Sequence, residues 1–213
     1  MNLFCKNGIK YWLLLLTVTT FTTGCSTTYV HNMLAEKIIL DKSDFSEAWH
    51  HPKINADCRV QINCVAKCPG YRNLLLATDK IEYPLRDILY EFCVSMRDKA
   101  LQPDNRGSSF VLEIDVQQAQ MQIEKNWHFI DPDTFTSKFR IKVIARMFDP
   151  QHNRLLLKDF LVSKEEEFVV ENENDYDLKS SNVIYESCKE ITKQIFKEIS
   201  ENKTIIRELK KFD

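Results

Sequence analysis

Between Phe110 and Met147 apolar and polar residues alternate in successive runs separated by a loop, and no other feature restricts the fold as strongly. Alternation of period two sends successive side chains to opposite faces of an extended chain, so one face is buried while the other meets water. Phe110, Leu112, Ile114 and Val116 set the first phase, and Ala119, Met121 and Ile123 continue it on the opposite parity. One extra residue near Gln117 and Gln118 shifts the phase in this way, which predicts a β-bulge. Phe135, Phe139, Ile141, Val143, Ala145 and Met147 form the next apolar face. Asp149-Pro150-Gln151-His152-Asn153 reads as a turn, and a further strand is expected from about Arg154 to Val170. Together these segments predict an antiparallel meander.

Two segments change to helical spacing. Pro84 suits the first position of a helix, where its missing N–H costs nothing. Leu85, Ile88, Leu89, Phe92 and Met96, with the later Leu101, then recur at helical intervals until Pro103 and Gly107 end the run. Near the other terminus Ile184, Cys188, Ile191, Ile195 and Ile199 form one stripe, which Ile205, Ile206 and Leu209 extend. Ser180 and Ser181 are candidate caps for it, and the acidic stretch Glu171 to Asp177 reads as a solvated loop. That stretch lacks the glycine and closing glutamate of a calcium loop.

Upstream, Cys58, Val60, Ile62, Cys64 and Ala66 alternate with Arg59, Gln61 and Asn63. Pro69-Gly70 is read as a turn, and Leu74 to Ala77 as a short second strand. The expected order is β-β-α-β-β-β-α. This is an α+β domain of two layers, a mainly antiparallel sheet with both helices packed on one face. It spans 57–213, preceded by a tether and lead-in over 25–56, in which Ile38-Ile39-Leu40 is a further candidate strand.

The amino-terminal segment says where the chain works. Lys6 and Lys10 precede the apolar run Tyr11 to Phe21, and no acidic residue occurs before Cys25. The run is shorter than the ~20 residues of a bilayer span, and it reads as a removable signal over 1–24. Thr22-Thr23-Gly24-Cys25 resembles the lipobox of bacterial lipoprotein precursors, with Thr22 where the family has leucine. The resemblance implies cleavage before Cys25 and lipid on its sulfur. Ser26, in place of aspartate, resembles the sorting pattern for the outer membrane, so a lipid-anchored protein on its periplasmic side is expected.

The chain has 29 Lys and Arg against 31 Asp and Glu. Without Lys6 and Lys10 the balance is 27 against 31, about −4, and no basic field supports nucleic-acid binding. Only Gly70 and Gly107 follow Cys25. A phosphate loop, a dinucleotide fingerprint and a nucleophile elbow each need clustered glycines, so none is expected. No catalytic residue, metal site or cofactor is expected.

The cysteines leave alternatives open. Cys58, Cys64, Cys68, Cys93 and Cys188 can be buried thiols, or a disulfide can form among Cys64, Cys68, Cys93 and Cys188. Cys58 and Cys64 stand six residues apart on one strand, ~20 Å at ~3.3 Å per residue. They cannot bridge within the ~7 Å between Cα atoms that a disulfide needs. Zinc on Cys58, Cys64 and Cys68 with His50 or His51 is disfavoured by the lack of paired spacing.

Two surface features are candidate contacts. Lys138, Arg140, Lys142 and Arg146 line the outer face of one strand, and they are either a solvated sheet face or a contact for an anionic lipid head group or an acidic partner. Trp127, His128, Phe129 and Ile130 gather at a hairpin tip, and they either fold back on the core or meet a partner.

The order of elements over 57–213 is similar to that of the YajG-type lipoproteins. The features that carry it are the lipobox, Arg86-Asp87 opening a helix, the Phe110–Val116 strand, the long hairpin and the Ile-rich C-terminal extension. The plan also resembles the lipopolysaccharide-assembly lipoprotein LptE and auxiliary lipoproteins of lipid ABC transporters. These resemblances imply a membrane-anchored accessory with an envelope protein partner, or a module that binds an amphipathic lipid, and no enzyme.

Overall fold

The alternation from Ser109 onward builds three long strands, which form the centre and one side of the sheet. The structure, a computed structural model, describes residues 30–32, 45–64, 68–74, 77–103, 109–126, 134–169 and 173–213. Strands are β1 (Val30–Asn32), β2 (Ile54–Asn55), β3 (Asp57–Cys64), β4 (Cys68–Leu74), β5 (Ala77–Tyr83), β6 (Leu101–Gln102), β7 (Ser109–Asn126), β8 (Thr134–Phe148) and β9 (Arg154–Val169). Helices are α1 (Leu85–Ala100), α2 (Glu173–Glu201) and α3 (Lys203–Leu209), followed by a single 3-10 turn over Lys210–Phe212.

Among the described residues seven strands form one sheet, ordered β1-β5-β4-β7-β8-β9, with β3 also on β7. β7, β8 and β9 are the expected antiparallel meander. The register between β7 and β8 shifts between Val116 and Gln118, where the change of phase requires it. The hairpin from β8 to β9 is held by Asp149. Its carboxylate accepts from the Gln151 and Asn153 amides at 2.9 and 2.8 Å and from Asn153 Nδ2 at 2.9 Å. Burial works against the charge, but these hydrogen bonds outweigh it and hold the carboxyl below its usual range. His152 takes φ 64°, a left-handed conformation that histidine tolerates better than most residues.

The parallel pairings were not legible in the alternation. β3 pairs β7 over Ser109–Val116, and β4 pairs the same edge of β7 over Met121–Glu124. Pro69-Gly70 is not a turn but lies inside β4. Pro69 opposes Glu82 of β5 and stands just before the ladder with β7, which begins at Gly70, so its missing N–H is tolerated. Leu74 and Ala77 are not one strand either. They close the β4–β5 hairpin as opposite partners.

Both helices cover one face, as expected. α1 packs on β3, α2 on β8 and β9, and the two on each other. Cys93 of α1 meets Thr192 of α2, and Ala100 shares a cavity with Phe196 and Ile199. The helices therefore run in the same direction. Pro84 is the N-cap of α1 rather than its first residue, and its carbonyl accepts from the Asp87 and Ile88 amides. α1 stops at Ala100, because Leu101 turns extended and pairs with Ile54 of β2. The acidic stretch is not a loop throughout: α2 begins at Glu173, where negative charge favours a helix N-terminus. Asn202 breaks the C-terminal stripe and caps α3 through the Thr204 and Ile205 amides.

The packed unit also begins before Asp57. Phe45, Ala48, Trp49, Ile54 and Ala56 belong to the same core as the sheet and helices. Phe45 meets the Phe92 ring edge-on at 6.1 Å, His51 Nε2 lies 2.8 Å from the Ser200 carbonyl, and Asn55 Nδ2 donates to Asp213 at 2.8 Å. Residues 45–56 thus lie across the far ends of α1 and α2 instead of leading in from outside. The candidate strand Ile38-Ile39-Leu40 lies outside the described residues.

Candidate functional site

The face of the sheet turned away from the helices brings the candidate basic side chains of β8 together with residues of β7 and β9. Along β8 the buried residues Phe135, Phe139, Ile141, Val143, Ala145 and Met147 alternate with Lys138, Arg140, Lys142, Ile144, Arg146 and Phe148. All four candidate basic residues therefore share the open face. Acidic columns flank them: Asp115 and Glu124 on β7, Asp159 and Glu165 on β9. Lys138 reaches Glu165 at 3.3 Å and Glu124 at 3.9 Å, Lys142 reaches Asp159 at 3.1 Å, and Arg146 reaches Asp115 at 3.5 Å. Arg140 stands opposite Gln120 and Ser163, exposed, with no ion pair among the described residues. Such solvent-exposed pairs contribute ~0.2–1 kcal/mol each. Their main consequence here is that Lys138, Lys142 and Arg146 are paired within their own sheet.

Sequence reasoning overlooked the apolar part of this face. Ile144 lies diagonally between Leu157 and Leu161 of β9, which are 51% and 49% exposed. The signal was present but hidden, since the run Leu155-Leu156-Leu157 conceals which leucine faces outward. Only Leu156 of the three is buried.

A cavity of about 10 Å³ lies among Trp49, Cys58, Leu101, Leu112, Phe196 and Ile199, enough for about one water molecule. Among the described residues no group of His, Cys, Asp and Glu is placed to hold a metal ion, and no helix is long and apolar enough to cross a membrane. Cys58 and Cys64 share β3 as expected, and none of Cys58, Cys64, Cys93 and Cys188 forms a disulfide among the described residues. The Cys68 side chain lies outside the described set.

Burial pushes the Cys58 thiol up to about 12, against the pull of Arg97. It pushes the Cys93 thiol up to about 12 as well, partly offset by a contact with Thr192. Both are therefore inert packing groups rather than nucleophiles. In the unfolded chain each ionises near ~8.5, so the stability they support is complete below that pH and declines as pH rises toward 12. Denaturant midpoints should fall steadily over that window. Cys58→Ala combined with Cys93→Ala should flatten the decline, and an unchanged slope would remove these thiols as its cause.

Cys25 and the cluster Trp127, His128, Phe129 and Ile130 lie outside the described residues. The strands that flank the cluster are described, and they end at Asn126 and Thr134, which oppose each other.

No family model matches the chain, and no curated protein matches it. Among solved structures it is similar to a minor lipoprotein from Acinetobacter baumannii, at 13% identity and a TM-score of 0.42, covering 68% of this chain and 93% of that one. It is also similar to a protein from Xanthomonas campestris, at 11% identity and a TM-score of 0.45, covering 84% and 95%. A third is the rare lipoprotein B from Shewanella oneidensis, at 7% identity and a TM-score of 0.40, covering 71% and 98%. Likenesses this distant carry no functional residue to this chain.

Proposed function

We propose that this chain is a lipid-anchored bacterial envelope lipoprotein, a non-enzymatic accessory or scaffold of an outer-membrane assembly or transport system. One observation carries the reading: Gly24-Cys25-Ser26 closes a short apolar segment that follows two lysines. Lipid on Cys25 holds the domain at the membrane, and sorting through Ser26 delivers it to the periplasmic side of the outer membrane. The open sheet face, with Ile144, Leu157 and Leu161 set among paired charges, is a surface for a protein partner. An apolar centre with a charged rim is how such contacts are usually built.

The test is purification of the tagged protein from detergent-extracted membranes, with Leu157→Glu and Leu161→Glu as the comparison. A partner held at constant stoichiometry by the wild type and lost in the double variant supports the scaffold reading. Bound lipid without protein supports the lipid-binding alternative. Recovery of neither from correctly lipidated protein overturns both.

A further inference from the structure

The main path of the sheet ends in β1 on one side and β9 on the other. β9 is much the longer, 16 residues against three, and among the described residues its one strand partner is β8. Every second residue of such a strand directs its N–H and C=O away from the sheet, where they can pair with another chain. Prolines and bulges usually blunt an edge of this kind. β9 contains no proline, and its register shift lies at the start, so pairing with β8 runs unbroken from Leu156 to Val169. Lysines facing inward are another common defence, but here Lys158 and Lys164 are ion-paired to Glu198 and Glu186 of α2. Lys179 Nζ donates to the Val169 carbonyl at 2.8 Å, so the stretch considered stops before that residue.

Two copies of β9 related by a two-fold axis run antiparallel, and directly opposed side chains share a face. Leu157, Asp159, Leu161, Ser163 and Glu165 form the column on the open face, and Lys158, Phe160, Val162 and Lys164 form the other. Each column must meet its own copy, so the axis lies between one residue and the same residue of the partner. Charge then selects the register, because like charges directly opposed are destabilising. Centred on Lys158 or Asp159, that residue opposes itself. Centred on Leu161, Lys158 meets Lys164, and centred on Val162, Asp159 meets Glu165. Centred on Phe160, no like charges meet. In that register Leu161 opposes the partner's Asp159 and stands diagonal to the partner's Leu161. Leu157 opposes the partner's Ser163 and is likewise diagonal to the partner's Leu161. The leucines, 51% and 49% exposed in the single chain, thus join into one stripe across the junction.

We propose that β9 is a self-association edge, along which two copies of this chain join antiparallel about Phe160 into one continuous sheet. The occupant is a second copy because the strand is complementary to itself in this register. Main-chain hydrogen bonds supply the attraction, as in other cases of strand addition, and the leucine stripe with the charge pattern supplies the register. The inference goes beyond the accessory reading and holds whether or not Cys25 carries lipid. Its consequence is that the open faces of the two copies lie side by side, which doubles the surface offered to a further partner.

The test is sedimentation of the whole protein, extracted from membranes in detergent, over a range of concentrations. The wild type should reach a dimer. Leu161→Asp places a carboxylate opposite the partner's Asp159, whereas Leu161→Lys places an ammonium there, and symmetry makes each change count twice. Their dimer dissociation constants should differ roughly tenfold, with the lysine variant tighter. Both variants remove the same half-exposed leucine, so a contact made by the open face alone would weaken equally in the two, and equal constants would overturn the edge register. A benzophenone amino acid in place of Ser163 gives a second readout that needs no destabilising change. On illumination it should yield an adduct of twice the chain's mass, mapped to the peptide that contains Leu157. An adduct with a different protein would overturn self-association and give the edge to that protein's strand. A monomer at every concentration, with no adduct, would overturn the proposal outright.

Discussion

Cys25→Ser should abolish lipid attachment completely and leave unprocessed precursor. The sulfur is the atom that accepts the lipid, and a serine hydroxyl is a far weaker nucleophile at neutral pH. More than one acyl chain makes anchoring stable where a single chain is marginal, so loss of all of them should also release the protein from washed membranes if any is cut elsewhere. Metabolic labelling with palmitate, gel mobility and membrane fractionation read the effect. Mature protein of unchanged mobility in a culture treated with globomycin would sink the assignment.

The second large effect concerns residues 45–56. Phe45 is 1% exposed and Trp49 6%; Phe45 meets Phe92 of α1, and Trp49 lines the small cavity with Cys58 of β3 and Phe196 of α2. Truncating either to Ala should cost ~3–5 kcal/mol, the usual loss for a buried aromatic. For a domain of this size that corresponds to a fall in melting temperature of roughly 6–20 °C. A chain that begins at Asp57 should suffer more. It loses both aromatics, the Ile54–Leu101 pairing and the contacts to Ser200 and Asp213. Thermal melts of soluble chains starting at residue 26 and at residue 57 decide the matter. Equal melting temperatures would mean that these residues only decorate the core.

This segment also shows why some of the fold could be read early and some could not. A tryptophan, two histidines and a proline in a row look like a loop, because no period links them to a face. Their burial depends on the ends of α1 and α2, which lie far along the chain and come near only when the fold closes. β3 and β4 raise the same difficulty. The alternation at Cys58, Val60 and Ile62 reveals a strand but not its partner, and parallel pairing to β7 leaves no local mark. Pro69-Gly70 carries the usual composition of a turn, and only the start of the β7 ladder one residue later makes proline acceptable there.

What the sequence by itself determined is what repeats over neighbouring residues. The three strands of the meander, the bulge at Gln117 and Gln118, the Asp149 turn and the apolar stripes of both helices all follow from side-chain period and turn chemistry. So did the shared face of Lys138, Arg140, Lys142 and Arg146, since period two is enough to place them together. Tertiary structure decided what surrounds them. Aspartates and glutamates of β7 and β9 pair with Lys138, Lys142 and Arg146, Leu157 and Leu161 stand outward beside them, and β3 and β4 run parallel to β7 along one of its edges. The physical reason is that period is a property of the local backbone, whereas register and strand direction are set by burial of residues far apart in the chain.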